Sequence, residues 1–240
     1  MNAAFVRGTS VWTAARGEPT AALLPPRLRR RTSRLTRSIA EVLGDLGVRH
    51  GVDLARVPVV HGSSLGEIDT TARLLEMMHE EDGALSPIRF HNSVHNTAPA
   101  YVSIATKNRG FSTSVAAGAA TVAAAVLEAF GVLCSRESEV MMVVADEPVP
   151  VALAPDRSYE GVAVAFYLSR ESGQDGVPRL RGLRRARVSG PAELAPGLGA
   201  NPCAPALDLA RACESGVRTT IALEHQATFG WCIDVEPGAR

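Results

Sequence analysis

Residues 110–131, with the sequence GFSTSVAAGAATVAAAVLEAFG, constrain the fold of this chain more than any other segment. Over residues 111–115 the larger side chains alternate with serines, which predicts a β-strand. The run Ala-Ala-Gly-Ala-Ala at residues 116–120 supplies the small side chains of a tight turn. Residues 121–130 are apolar almost all round, which predicts a helix buried on every side. The segment therefore predicts a strand, a turn and a core helix in immediate succession.

The predicted turn has no nucleophilic side chain. Many enzymes place a cysteine or serine at a strand-to-helix turn, because the helix N-terminus lowers a thiol pKa and its N–H groups stabilise an oxyanion. Here residues 116–120 offer only methyl groups and a glycine. An active-site framework without a nucleophile is the main indication of function.

The composition favours a single domain in a reducing compartment. With 240 residues, 46% of them hydrophobic, the chain can bury one good core, so we predict one domain over residues 1–240. Within it, residues 1–170 form the predicted core and residues 171–240 an extension that packs on the core. The formal net charge is zero, so charge favours neither nucleic acid nor an anionic membrane. Cysteines without a CxxC pair, and no leader peptide or membrane-length apolar run, predict a cytoplasmic location.

Predicted strands and helices alternate along the chain, which indicates an α/β sheet covered by helices on both faces. Strands are predicted at residues 5–13, 57–62, 139–145, 161–169 and 229–235, the fourth being antiparallel to its neighbour. Helices are predicted at residues 32–46, 68–80, 96–107 and 207–213. Residues 25–31 are predicted to be a solvated loop. The sequence after residue 173 is rich in Gly, Pro and Arg and is predicted to be largely irregular.

Five stretches follow one another within residues 3–170, namely VRGTSVWT, VPVVHGSSLGEI, LSPIRFHNSVHNTAPAYVSIATKNRGFSTSVAAGAATVAAAVLEAF, MMVVADEPVP and GVAVAFYLSR. In this order they resemble the N-terminal half of the β-ketoacyl synthases, condensing enzymes of the thiolase superfamily. The chain is most similar to short β-ketoacyl synthase-like N-terminal proteins found beside aryl polyene and related polyketide or fatty-acid clusters. Residues 171–240 match only loosely. The resemblance implies a thiolase-like α/β fold, half of a ketosynthase, with a mixed and mostly parallel sheet covered by helices.

Two departures from this family bear on catalysis. Condensing enzymes carry an acyl-accepting cysteine at the start of the buried helix, and the matching position here is Ala119. The nearest cysteine, Cys134, lies at the far end of the same helix. The histidines that drive decarboxylation come from the family's C-terminal half, and the sequence contains neither an EAHGTGT-like nor an NSFGFGG-like segment. Because a thioester cannot form on a methyl group, no catalytic residue for condensation is predicted.

Three other residues are candidates for chemistry. His91 and His95 are four residues apart, as metal ligands on one helix face are, but no Cys, Asp or Glu lies near enough in sequence to complete a shell. Hydrogen-bonded histidines in a loop before a helix are the favoured interpretation. Ser63 follows His61 like a hydrolase pair, but a GxSxG motif is missing, so a turn or cap role is favoured. The glycines around Ser63 lack the lysine and spacing of a phosphate-binding loop, and no cofactor or metal is predicted.

The resemblance also implies a partner. Family members dimerise by pairing the strand before the nucleophile helix across a two-fold axis. In this sequence that strand comprises Ser112, Thr113, Ser114, Val115 and Ala116. Either a ketosynthase-like protein or a second copy of this chain would pair with it. The run RLRGLRRAR at residues 179–187 is either a solvated edge or a contact for an acidic acyl carrier protein, through Arg184, Arg185 and Arg187.

Two classes of function remain open. The favoured one is a non-catalytic β-ketoacyl synthase-like subunit for polyketide, aryl polyene or fatty-acid biosynthesis, which pairs with itself or with a true ketosynthase. The alternative is an acyl-thioester hydrolase or acyltransferase of altered chemistry. Such an enzyme would use a histidine or one of the serines Ser63, Ser112 and Ser114, or would be completed in trans by residues of a partner.

Overall fold

The computed structural model describes residues 3–79, 84–135, 137–155, 159–187, 197–225 and 228–238. The described strands are β1 Ala3–Thr13, β2 Val59–Gly62, β3 Ser112–Val115, β4 Glu139–Asp146, β5 Val162–Ser169, β6 Arg179–Arg187, β7 Thr219–Ala222 and β8 Phe229–Glu236. The described α-helices are α1 Pro26–Arg29, α2 Arg34–His50, α3 Ile68–His79, α4 Pro87–Asn92, α5 Thr97–Thr106, α6 Thr121–Cys134 and α7 Pro205–Ser215. None of these helices is long and apolar enough to cross a membrane.

The described strands form one mixed sheet of eight strands in the order β3-β2-β4-β5-β1-β6-β8-β7. Strand β2 pairs in parallel with β3 and with β4. The other pairs are antiparallel, including β4 with β5, as the sequence predicts for residues 161–169. Parallel pairing therefore lies at the β3 end of the sheet, where helices connect the strands. Between β4 and β5, the described residues 147–155 and 159–161 contain no helix.

Helices cover both faces of this sheet, which confirms the predicted α/β architecture. On one face α6 and α7 pack against alternate residues of β4 and β5, among them Val144 and Phe166. On the other face α2 and α5 cover the intervening residues, such as Val143 and Tyr167. Every residue of β5 is buried, which explains its continuous apolar sequence.

Several elements differ from the sequence predictions. Residues 25–31 are not entirely a loop, because Pro26 occupies the first turn of α1, where its missing N–H has no cost. A second short helix, α4, begins where the Ser86 side chain accepts a hydrogen bond from the backbone of Arg89. The predicted irregular segment contains β6 and β7, and together with β8 these strands continue the same sheet. The last residue of the predicted helix at 68–80, and residues 188–196, lie outside the described residues.

Candidate functional site

The predicted strand, turn and helix are formed by β3, a short 3-10 turn at Gly118–Ala120 and α6. Gly118 has a φ of +55°, a left-handed conformation that favours glycine. The Thr121 hydroxyl donates to the carbonyl oxygen of Gly118 at 2.7 Å and accepts from the N–H of Ala117 at 3.1 Å, which closes the turn. The strand, turn and helix that the sequence predicts are therefore formed, and the methyl group of Ala119 is exposed on the turn.

A cavity of about 200 Å³ opens beside Ala119. It lies beyond the carboxyl ends of β2, β3 and β4, the usual place for a ligand in an α/β sheet. Its wall also includes the loop after β7 and the beginning of α7. The residues that matter for its chemistry are Ser64, Ala119, Tyr159, Asn201 and His225.

The candidate Ser63 is completely buried and is held by a buried carboxylate rather than by the imidazole of His61. Its hydroxyl donates to Asp146 Oδ1 at 2.6 Å and accepts from the N–H of Gly66 at 2.9 Å. The same carboxylate accepts from the N–H of Ser64 and from the thiol of Cys203. Burial raises the pKa of Asp146, and the hydrogen bond from Ser63 opposes that increase. This geometry gives Ser63 the turn role that the sequence favoured.

The two candidate histidines have different surroundings. His91 is exposed on α4. The Nε2 of His95 lies 2.8 Å from the carbonyl oxygen of Ser63, so that nitrogen donates a structural hydrogen bond. Within the described parts of the chain, no three His, Cys, Asp or Glu side chains are grouped as a metal site would require.

His61, which the sequence places two residues before Ser63, is completely buried on β2 and contacts both His95 and β3. The ring of His61 is 5.8 Å from the ring of His95, and its Nδ1 is 3.4 Å from the hydroxyl of Ser114. Burial, and then the neighbouring His95, lower the pKa of His61 to about 3. An imidazole with so low a pKa is a poor general base at neutral pH, so its contact with Ser114 does not make an activated serine.

Sequence reasoning missed a histidine–carboxylate pair beside the cavity. His225, in the loop after β7, places its Nε2 3.0 Å from Asp208 Oδ2 on α7. Both side chains are nearly buried, with exposed fractions of 4% and 9%. These two residues are 17 positions apart and belong to no common sequence motif. The packing of the loop against α7 brings them together.

The arginines considered for carrier-protein binding lie on β6. Arg184 forms a two-pronged ion pair with Asp234 of β8, with N–O distances of 2.8 and 3.0 Å. The guanidinium of Arg185 lies over the ring of Phe229, 5.4 Å from its centroid. Arg187 is exposed at the end of the strand. Contact of these residues with an acyl carrier protein stays a prediction.

The predicted dimer strand lies at an edge of the sheet, where β3 pairs with β2 alone among the described strands. The N–H groups of Val59 and Ser63 donate to the carbonyl oxygens of Phe111 and Val115. Because alternate residues of a parallel strand bond to the same neighbour, the N–H and C=O groups of Ser112 and Ser114 point away from β2. Large apolar side chains near this edge are exposed: Ile104 by 62%, Phe111 by 49% and Leu127 by 56%.

Comparison with known proteins agrees with this geometry. The family model for the β-ketoacyl synthase N-terminal domain matches residues 6–226. No curated protein matches the sequence. A solved ketosynthase in complex with its chain length factor, from Xenorhabdus doucetiae, is similar with a TM-score of 0.67 and 20% identity over 90% of this chain and 83% of that chain.

Other solved structures have the same fold at lower identity. The ishigamide ketosynthase/chain length factor is similar with a TM-score of 0.61 and 14% identity, over 78% of this chain and 68% of that chain. A type II polyketide synthase acyl-carrier protein in complex with its ketosynthase has a TM-score of 0.61 and 12% identity, over 78% of this chain and 69% of that chain. The thiolase-like fold inferred from the sequence is thereby confirmed.

Proposed function

The chain belongs to the β-ketoacyl synthase N-terminal domain family, and from this premise we propose that it is a ketosynthase-like subunit that does not catalyse condensation itself. It pairs with a catalytic ketosynthase that serves polyketide, aryl polyene or fatty-acid biosynthesis. The observation that carries this proposal is Ala119, a methyl group on an otherwise intact strand–turn–helix framework.

The missing nucleophile excludes the first covalent step of condensation on this chain. That step transfers an acyl group to a thiolate, and Ala119 has no atom that can accept it. Cys134 lies at the opposite end of α6, which at about 1.5 Å per residue places it roughly 20 Å from Ala119. The hydroxyl of Ser63 is completely buried and donates a hydrogen bond to Asp146, so it does not replace the thiol.

The edge strand supplies a reason for the chain to have a partner. An unpaired edge with outward N–H and C=O groups is a template for another strand, and proteins normally cover or interrupt such an edge. The exposed side chains of Ile104, Phe111 and Leu127 add apolar surface on either side of β3. The similar solved structures include complexes of a ketosynthase with a chain length factor, which supports a partner of the same fold.

Co-expression with ketosynthases encoded near this chain tests the proposal. We expect one of them to form a stable complex with the tagged chain. Intact-mass spectrometry after incubation with an acyl thioester should then show the acyl group on the ketosynthase and none on this chain. Failure to bind any neighbouring ketosynthase, or condensation by this chain alone, would contradict the proposal.

A further inference from the structure

A second cleft, with a volume of about 620 Å³, opens between the N-terminal ends of α2 and α3. It has no residue in common with the cavity beside Ala119, and its size is that of a small-molecule site. Six arginine side chains line it, from the segment before α2 and from α2, α3 and α4: Arg30, Arg31, Arg34, Arg37, Arg73 and Arg89.

Neighbouring carboxylates hold three of these guanidinium groups in place. Arg34 and Arg37 lie 3.2 and 3.6 Å from the two carboxylate oxygens of Glu18. Arg73 pairs with Asp69 at 3.0 Å, one turn earlier on α3. Because these side chains are already positioned, they lose less conformational freedom when a ligand binds.

The other three arginines carry positive charge that the fold does not neutralise. Arg30, Arg31 and Arg89 form no ion pair with any acidic side chain that the structure describes. All three are exposed, so their guanidinium groups are accessible. Since like charges on one cleft repel each other, a bound anion would stabilise this arrangement.

The third carboxyl group of the cleft does not cancel this charge. Glu147 lines the cleft but is only 6% exposed. Its burial, and then the carboxylate of Glu67, raise its pKa to about 8, so the group is mostly protonated at neutral pH. Six arginines against two ionised carboxylates, those of Glu18 and Asp69, leave the lining with four positive charges in excess.

The lining suits phosphate groups. Guanidinium groups bind phosphate oxygens through paired N–H donors, and a chain of three phosphates carries about four negative charges at neutral pH. An acyl chain would find little apolar surface, because the uncharged residues of the lining are Thr32, Ser33, Thr70, Asn92 and Pro148.

We propose that this cleft binds a small polyphosphate of about three phosphate groups. The ligand contacts the exposed arginines at the rim, such as Arg31, and the half-buried Arg34 and Arg37 within. The surface of a folded acidic protein would reach the rim alone, so the concave arrangement favours a small ligand. Binding belongs to the chain by itself and does not depend on pairing through β3.

Isothermal titration calorimetry of the purified chain with inorganic tripolyphosphate, at neutral pH and about 0.15 M salt, tests this proposal. We expect one tripolyphosphate per chain, with orthophosphate at least about tenfold weaker because it reaches fewer guanidinium groups. Arg31→Gln and Arg37→Gln should each raise the Kd about tenfold or more, the usual effect of losing a hydrogen bond between charged groups. Arg27→Gln is the matched control and should keep the wild-type Kd, because Arg27 is exposed on α1 and lies outside the cleft.

Three outcomes would overturn the proposal. These are no saturable binding below about 1 mM tripolyphosphate, equal Kd values for Arg31→Gln and Arg27→Gln, or tighter binding of a hexaglutamate peptide, which would indicate an acidic protein partner. The fold uses the backbone of Arg31, whose carbonyl oxygen accepts from Asn92 at 2.9 Å, so Arg31→Gln keeps this contact. As a second measurement, tripolyphosphate should raise the thermal midpoint of the wild type and of Arg27→Gln, and raise that of Arg31→Gln far less.

Discussion

Replacing Ser112 by proline tests whether β3 is the pairing edge of this subunit. The N–H of Ser112 points away from β2, so the substitution removes a donor that the chain's own sheet does not use. Proline is tolerated on edge strands for the same reason. The variant should therefore keep the β2–β3 ladder and lose only the ability to accept another strand.

The size of the effect follows from the hydrogen bond that is lost. A backbone hydrogen bond across the interface contributes about 0.5–1.5 kcal/mol, and a partner carbonyl left buried without a donor costs about 1–3 kcal/mol. Together these amount to about 1.5–4.5 kcal/mol, which corresponds to roughly a 10- to 1,600-fold increase in Kd at about 1.4 kcal/mol for each factor of ten. Exposed surface mutations without such a role change Kd far less.

The assay is the Kd of the complex with the co-purified ketosynthase, measured by biolayer interferometry. Ser112→Ala is the matched control, because it removes the side chain and keeps the N–H, and it should bind like the wild type. Circular dichroism establishes that Ser112→Pro is folded. A folded Ser112→Pro chain with the wild-type Kd would refute the reasoning, since the partner would then not use this edge.

Three further predictions concern stability. Burial, and then the carboxylate of Glu67, raise the pKa of Glu147 to about 8, so the folded chain keeps a proton that the unfolded chain releases. The free energy of unfolding in urea should therefore fall as pH rises from about 5 to 8, and Glu147→Gln should reduce this dependence; an unchanged slope would contradict the assignment. Phe166→Ala should lower the free energy of unfolding by about 3–5 kcal/mol, because the ring is fully buried, and a loss below about 1 kcal/mol would be inconsistent with that packing. Asp146→Asn should lower it by about 2–5 kcal/mol, because an amide N–H₂ would face the donors of Ser63 and Ser64, and an unchanged thermal melt would argue against this network.

The sequence predicts those elements whose local pattern agrees with their burial. Strand β5 is apolar throughout because both of its faces are covered. Helix α6 was predicted to be buried on every side, but one side is uncovered, and there Leu127 is 56% exposed. Strand β6 was missed because a bulge interrupts its alternation. Its pairing with β8 shifts between Arg181 and Arg184, and Gly182 adopts a φ of +66° there. The resulting sequence reads as an irregular basic run although Leu180 is fully buried.

The candidate site likewise contains features that a local sequence pattern predicts and features that it does not. The position of Ala119 follows from the order of a strand, a turn and a helix that are consecutive in the sequence, so local reasoning finds it. The pair of His225 and Asp208 depends on how a loop packs against α7, which no local pattern encodes. The role of Ser63 is settled by Asp146, a residue 83 positions away that ends β4.

Hydrogen–deuterium exchange of β3 tests the central claim most directly. The amides of Ser112 and Ser114 face away from β2 and should exchange rapidly in the isolated chain. On formation of the complex with a catalytic ketosynthase, we expect exchange of these two amides to slow by at least about tenfold, as pairing to a second strand requires. Exchange of both amides at the same rate in the complex and in the isolated chain would contradict the account.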